Sequence, residues 1–74
     1  MRYAVVEIGK EEFPIQLVYA GYATRMIYDN EVDAIRNAKA VFQHKTFDWR
    51  VIPWEDETTK TKGKILPHGI QWLE

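Results

Sequence analysis

The two histidines, His44 and His68, are the side chains best suited to acid–base chemistry, and they lie far apart in the sequence. An imidazole acts as a general acid or base near neutral pH when a neighbouring group orients it. Asp48 lies close enough in sequence to His44 for a histidine–carboxylate contact to form at a helix end. A solvated histidine near a helix C-terminus is favourable without any function, and His68 between Pro67 and Gly69 is typical of a loop. A small enzyme built on either histidine is therefore a third class of function behind two classes of binding protein.

Other catalytic and cofactor chemistries lack the residues that they require. The chain has no cysteine and no serine, which excludes thiolate catalysis, Ser-His hydrolysis and cysteine-based metal sites. Its four glycines are isolated, and Thr61-Lys62-Gly63-Lys64 has the wrong order for a phosphate-binding loop. We therefore predict no catalytic residue, no cofactor and no metal site, and a protein that is not an enzyme.

Aromatic residues are the strongest indication of a binding surface. All three tryptophans lie in the C-terminal third of the chain, and tryptophan and tyrosine are favoured at the energetic centres of interfaces. The same rings could instead fill the core of a small domain that has no disulfide. The residues predicted to bind a partner are Trp49, Arg50, Trp54, Trp72, Tyr22 and Tyr28.

Charge provides two further hypotheses about the partner. Aromatic rings beside cations are typical of single-stranded nucleic-acid binding, and the cations near the tryptophans are Arg50, Lys60, Lys62 and Lys64. A formal net charge of −1 and the acidic segment 55–57 weigh against that hypothesis. Acidic residues at 29–33 and 55–57 could instead face a basic partner, although such runs are commonly solvated surface. An unpaired strand at 22–28 or 50–54 would offer a third route, strand addition.

Size and composition predict one soluble domain spanning residues 1–74. A chain of 74 residues is near the lower limit for independent folding, so its 46% hydrophobic residues and ten aromatic rings must supply the core. No secretory signal pattern and no apolar run of about 20 residues is visible. We therefore expect a cytoplasmic protein without a membrane partner.

The elements that must position these residues follow from hydrophobic periodicity. Residues 2–8 are almost continuously apolar and predict a central strand. Residues 9–12 predict a hairpin connection, and residues 13–20 predict a second strand. Residues 22–28 predict a third strand, with the start of a helix as the competing interpretation.

The clearest signal is an amphipathic helix over about residues 31–45. Asn30 can cap its first turn, with Asp33 in an approximate capping box. Its apolar arc consists of Ala34, Ile35, Ala38, Val41 and Phe42. His44 and Lys45 would place positive charge in the last turn, where the helix dipole favours it.

The C-terminal part predicts a strand at 48–54, a mobile polar loop at about 55–64 and an apolar tail at 65–74 that docks on the body. The order β-β-(β)-α-β predicts an α+β fold. It consists of a small antiparallel sheet of three to five strands with one amphipathic helix packed on one face.

Together these features favour a non-enzymatic protein-interaction module, such as an accessory or inhibitory protein that acts by surface occupancy. Its partner would be another protein or a second copy of itself, bound through a sheet edge or the aromatic C-terminal region. The alternative is a small nucleic-acid-binding domain that uses Arg50, Lys60, Lys62, Lys64 and an exposed tryptophan.

Overall fold

A computed structural model of the protein describes residues 1–44, 46 and 48–73. Within that part the chain forms eight strands and one helix, which confirms the predicted α+β class. The elements are β1 (Arg2–Glu7), β2 (Lys10–Pro14), β3 (Gln16–Tyr19), β4 (Tyr22–Arg25), β5 (Ile27–Tyr28), α1 (Glu31–Phe42), β6 (Trp49–Trp54), β7 (Lys62–Leu66) and β8 (Gly69–Trp72). They form two antiparallel four-stranded sheets, where the sequence led us to expect one.

The first sheet, sheet A, is built around β1. Strand β6 pairs with β1 along its whole length on one edge, whereas β2 and β5 share the other edge. Ala4, Val5 and Val6 are fully buried, because neighbours cover both edges and both faces of this strand. The prediction of a central strand at 2–8 is confirmed.

The second sheet, sheet B, has the order β3-β4-β7-β8. The β3–β4 hairpin closes through Ala20 and Gly21, whose φ angles of 53° and 82° are both positive, as a type I′ turn requires. Strand β4 pairs with β3 on one side and β7 on the other. The segment 22–28 is therefore strand rather than helix, and its first half lies in the sheet interior instead of at an edge.

The two sheets are joined within one long hairpin. Its first arm consists of β2 and β3, its second arm consists of β4 and β5, and both arms bend at the same point. The N–H of Met26 donates to the carbonyl of Ile15 (2.9 Å), the N–H of Val5 donates to the carbonyl of Met26 (2.9 Å), and the N–H of Ile15 donates to the carbonyl of Val5 (2.8 Å). On one side of this junction the hairpin strands belong to sheet A as β2 and β5. On the other side they belong to sheet B as β3 and β4.

Helix α1 begins where the sequence indicates. Asn30 is the N-cap, and its Oδ1 accepts a hydrogen bond from the N–H of Asp33 at 2.8 Å. The helix ends at Phe42, earlier than the predicted residue 45, so His44 lies beyond it and Lys39 is the basic residue of the last turn. Lys45 is outside the described residues.

One face of the helix packs on sheet A. Ala34, Ala38 and Phe42 are buried there together with Val5 and Met26. The two alanines remove side-chain bulk and so allow the helix to approach the strands closely. Of the predicted apolar arc, Ile35 is half-buried and Val41 is exposed.

Two polar segments are shorter than predicted. The connection after β1 consists of Ile8 and Gly9, because β2 already begins at Lys10. The loop predicted at 55–64 ends before Lys62, where β7 begins. The apolar tail forms the β7–β8 hairpin and is therefore half of sheet B.

Gly63 is the position where sheet B tolerates no side chain. A Cβ there would lie 2.7 Å from Ile70 Cγ2 and 2.8 Å from Trp72 Cε3, since both side chains lie over the glycine. We expect Gly63→Ala to lower the free energy of unfolding by about 1–3 kcal/mol, measured by urea denaturation. Combining it with Ile70→Ala should cost less than the sum of the single changes, because one clash is then removed. A Gly63→Ala protein as stable as the wild type would contradict this packing.

Candidate interaction surface

Trp54 is a core residue of the sheet A face opposite the helix. It is half-buried and packs against a cluster of Ala4, Val6 and Ile27. Its indole N–H donates to Thr59 Oγ1 at 2.9 Å. The ring and the indole N–H of this predicted contact residue therefore both have partners within the domain.

The loop between β6 and β7 crosses this face, held by hydrogen bonds. Arg2 donates to the carbonyl of Asp56 at 2.7 Å, and Arg25 donates to the carbonyl of Lys60 at 2.7 Å. Hydrogen bonds from the hydroxyl and N–H of Thr58 lower the pKa of Asp56. Its carboxylate therefore accepts these bonds above its usual pKa and loses them only as the pH falls below that range. The hydrogen bonds from Arg2 and Arg25 join the loop to β1 of sheet A and to β4 of sheet B.

The other two tryptophans are also partly covered. Trp49 is half-buried against the cluster beneath the helix, as is Tyr28, whose pKa is raised by burial. Trp72 is half-buried in sheet B, where the guanidinium carbon of Arg25 lies 3.7 Å from the centroid of its ring. The described structure contains no fully exposed tryptophan.

Arg50 is separated from the lysines of the predicted nucleic-acid surface. It lies in sheet A with Glu11, at 3.9 Å between Nε and Oε2. The N–H of Gly9 donates a hydrogen bond to the same Glu11 oxygen at 3.1 Å, and this bond is the main reason why the pKa of Glu11 is lowered. Lys62 and Lys64 lie in β7 of sheet B.

Two exposed tyrosines lie instead at the end of the β3–β4 hairpin, and Phe13 is exposed in sheet A. Tyr19 is 84% exposed and Tyr22 is 55% exposed, and they are cross-strand partners. Tyr22 is among the residues that the sequence predicts to bind a partner, whereas Tyr19 is not. The Ala20-Gly21 dipeptide is the sequence feature that could have indicated Tyr19, since a two-residue turn at that point pairs the tyrosines on either side of it.

These tyrosines begin a row that crosses all of sheet B. Tyr22 pairs with Lys64, and Lys64 pairs with Gln71. Directly paired residues project from the same face of a sheet. We call Tyr19, Tyr22, Lys64 and Gln71 the tyrosine row, and each of its members is exposed.

The two histidines, which are the side chains best suited to acid–base chemistry, lie at the surface. His44 and His68 are exposed, and neither has a hydrogen-bond or ion-pair partner among the described residues. No hydrogen bond or ion pair joins His44 to Asp48, which are both described residues. Among the described residues there is no buried polar or charged side chain and no group of three or more potential metal ligands.

A surface cavity of about 410 Å³ lies beside the helix N-terminus and is lined by Arg2, Ile27, Tyr28, Asp29, Asp33, Thr61 and Lys62. Another, of about 270 Å³, lies beside the β1–β2 hairpin. Neither contains a histidine.

Comparison with protein families, with curated proteins and with solved structures finds no match to this chain. No helix in residues 1–44, 46 and 48–73 is long and apolar enough to cross a membrane.

Replacing Trp54 separates a core role from a contact role. We expect Trp54→Ala to lower the free energy of unfolding by about 2–4 kcal/mol, somewhat below the range for a fully buried tryptophan. The matched change Tyr19→Ala should stay within about 0.5 kcal/mol, because that ring is in water. Equal stability of both variants in thermal and urea unfolding would assign Trp54 to a contact surface.

Proposed function

We propose that the protein is a non-enzymatic protein-interaction module that receives an extended strand from its partner at an edge of sheet B. An accessory or inhibitory protein that acts by surface occupancy would need no more than this. The observation that supports this proposal is a difference between the edges of the two sheets.

The edges of sheet A carry features that discourage strand addition. Strand β2 is Lys-Glu-Glu-Phe-Pro, and β6 contains Arg50 and Pro53. Strand β5, which shares an edge with β2, has only two residues, and a very short edge strand is itself a poor template for pairing. The N–H of Ile8 donates to the carbonyl of Asp48, so alternate residues of β6 from Asp48 onward face β1. Pro53 therefore occupies an outward position, where it removes a donor from the open edge.

The edges of sheet B lack such features. Strand β3 is Gln-Leu-Val-Tyr and β8 is Gly-Ile-Gln-Trp, so neither contains a proline or a charged residue. Natural proteins usually protect exposed edges with charges, prolines or bulges. Two unprotected edges on one sheet favour a binding role.

The outward groups of β8 follow from two hydrogen bonds. The N–H of Leu73 donates to the carbonyl of Lys62, and the N–H of Ile65 donates to the carbonyl of Gly21. Gln71 therefore faces β7, whereas the N–H and C=O groups of Ile70 and Trp72 point away from the sheet.

A second copy of the chain is the simplest partner for β8. Antiparallel pairing about a two-fold axis at Gln71 places Ile70 opposite Trp72 of the other copy. All the outward N–H and C=O groups of both residues then find partners. The same register places two apolar cross-strand pairs on one face and brings no charged side chain of the described β8 residues opposite another.

Charge at the two-fold axis tests this register. Gln71→Lys and Gln71→Glu each place like charges directly opposite, which costs about 1 kcal/mol, or about fivefold in the dissociation constant. Sedimentation analysis should show a concentration-dependent dimer for the wild type, weaker dimers for each variant, and restored association when the two variants are mixed. Gln43→Lys, at the helix end, is the matched control. A wild type that stays monomeric would exclude the second copy.

Two proline variants test strand addition with any protein partner. Ile70→Pro removes an outward donor from β8, and Val18→Pro does the same for β3, because neither N–H belongs to the ladders within the sheet. In affinity capture we expect one of these baits to lose a partner that the other and the wild type retain. Both baits must first match the wild type in far-UV circular dichroism. Retention by both would refute strand addition at sheet B.

A further inference from the structure

We propose that the face of sheet B that carries the tyrosine row binds single-stranded nucleic acid. This function uses a sheet face and needs one copy of the chain, so it is independent of strand addition at the edge. It keeps Lys62 and Lys64 of the nucleic-acid surface that the sequence predicts. It does not use Arg50 or the tryptophans, because Arg50, Trp49 and Trp54 lie in sheet A and Trp72 lies on the other face of sheet B.

The face is defined by two adjacent rows of paired residues. Beside the tyrosine row lies a second row, Leu17, Thr24 and Lys62, which Leu73 extends through its N–H bond to the carbonyl of Lys62. Lys62 and Leu73 are exposed, whereas Leu17 and Thr24 are half-buried. The two rows together form a surface of rings, cations and hydrogen-bonding groups.

The charge on these two rows has one sign. Their charged residues are Lys62 and Lys64, and neither forms an ion pair with a described residue. Asp29 and Asp33 line the larger cavity together with Lys62, so Lys64 is the cation less influenced by carboxylates. The overall charge of −1 thus conceals a local positive surface, which complements an anionic ligand.

The rings indicate which anionic ligand fits. Tyr19 and Tyr22 are exposed cross-strand neighbours, and each ring could stack with one base. Lys64 is on the strand next to Tyr22, about 5 Å away, within reach of a phosphate that flanks a stacked base. Bases present their faces only when they are unpaired, so single strands fit this surface better than duplexes do.

The two lysines set the expected salt dependence. Two phosphate contacts to a single strand give a slope of log K against log salt of about −1.4. Raising salt from about 50 to 200 mM should therefore weaken binding about sevenfold.

The probe is a dye-labelled oligothymidylate of about twelve nucleotides, followed by fluorescence anisotropy. Tyr19→Ala and Tyr22→Ala should each weaken binding about five- to hundredfold, the range for loss of one stacked base. Lys64→Gln should roughly halve the salt slope. The matched controls are Phe13→Ala, an aromatic residue 73% exposed in sheet A, and Lys39→Gln on the helix, and neither should change affinity.

Gln71→Lys separates this proposal from strand addition, because the two predict opposite signs. It weakens pairing of β8 with a second copy, yet it adds a cation to the tyrosine row and should tighten oligothymidylate binding at low salt. Tyr19 is almost fully in solvent, so Tyr19→Ala should fold even if Tyr22→Ala does not.

Three results would overturn the proposal. The first is no binding of oligothymidylate at low salt, and the second is equal weakening by Lys39→Gln and Lys64→Gln. The third is competition by duplex DNA or polyglutamate as strong as that by unlabelled oligothymidylate, which would assign the surface to phosphates alone or to an acidic peptide.

Discussion

Three backbone hydrogen bonds that join Val5, Ile15 and Met26 hold the two sheets of this small domain together. Val5 is a fully buried residue of the central strand, and Met26 is fully buried beneath the helix. Because both residues are shielded from water, leaving their backbone N–H and C=O groups without hydrogen bonds would be costly. The bend of the long hairpin is thereby held in place, and with it the position of sheet B relative to sheet A.

This junction also divides the aromatic residues between core and surface. The sheet A side of the domain uses Trp49, Trp54 and Tyr28 to fill space on its two faces, as a domain of this size without disulfides requires. In sheet B, by contrast, Tyr19 and Tyr22 at the end of the β3–β4 hairpin are exposed.

The two sheets differ accordingly in what they offer a partner. Sheet A is covered by the helix on one face and by the 55–61 loop on the other, and its edges carry charges and prolines. Sheet B has uncharged edges and one face on which the charged residues of the two described rows are lysines. The proposed binding through an edge and the proposed binding through a face use different parts of the same sheet, and Gln71 belongs to both.

The sequence by itself determined the local features of this protein. The almost continuous apolar run at residues 2–8 identified a buried strand, Asn30 and Asp33 identified the helix start, and the apolar arc identified the helix face, because each depends on neighbours within a few residues. The pairing of distant segments was decided only by the tertiary structure. The sequence predicted a loop at Lys62 and Lys64 because a short polar strand has no periodic apolar signal. These residues form strand β7 because β4 has an edge with which they can pair. The same pairing placed Lys64 next to Tyr22 and left Arg50 in the other sheet, since which charges meet depends on register between strands about forty residues apart along the chain.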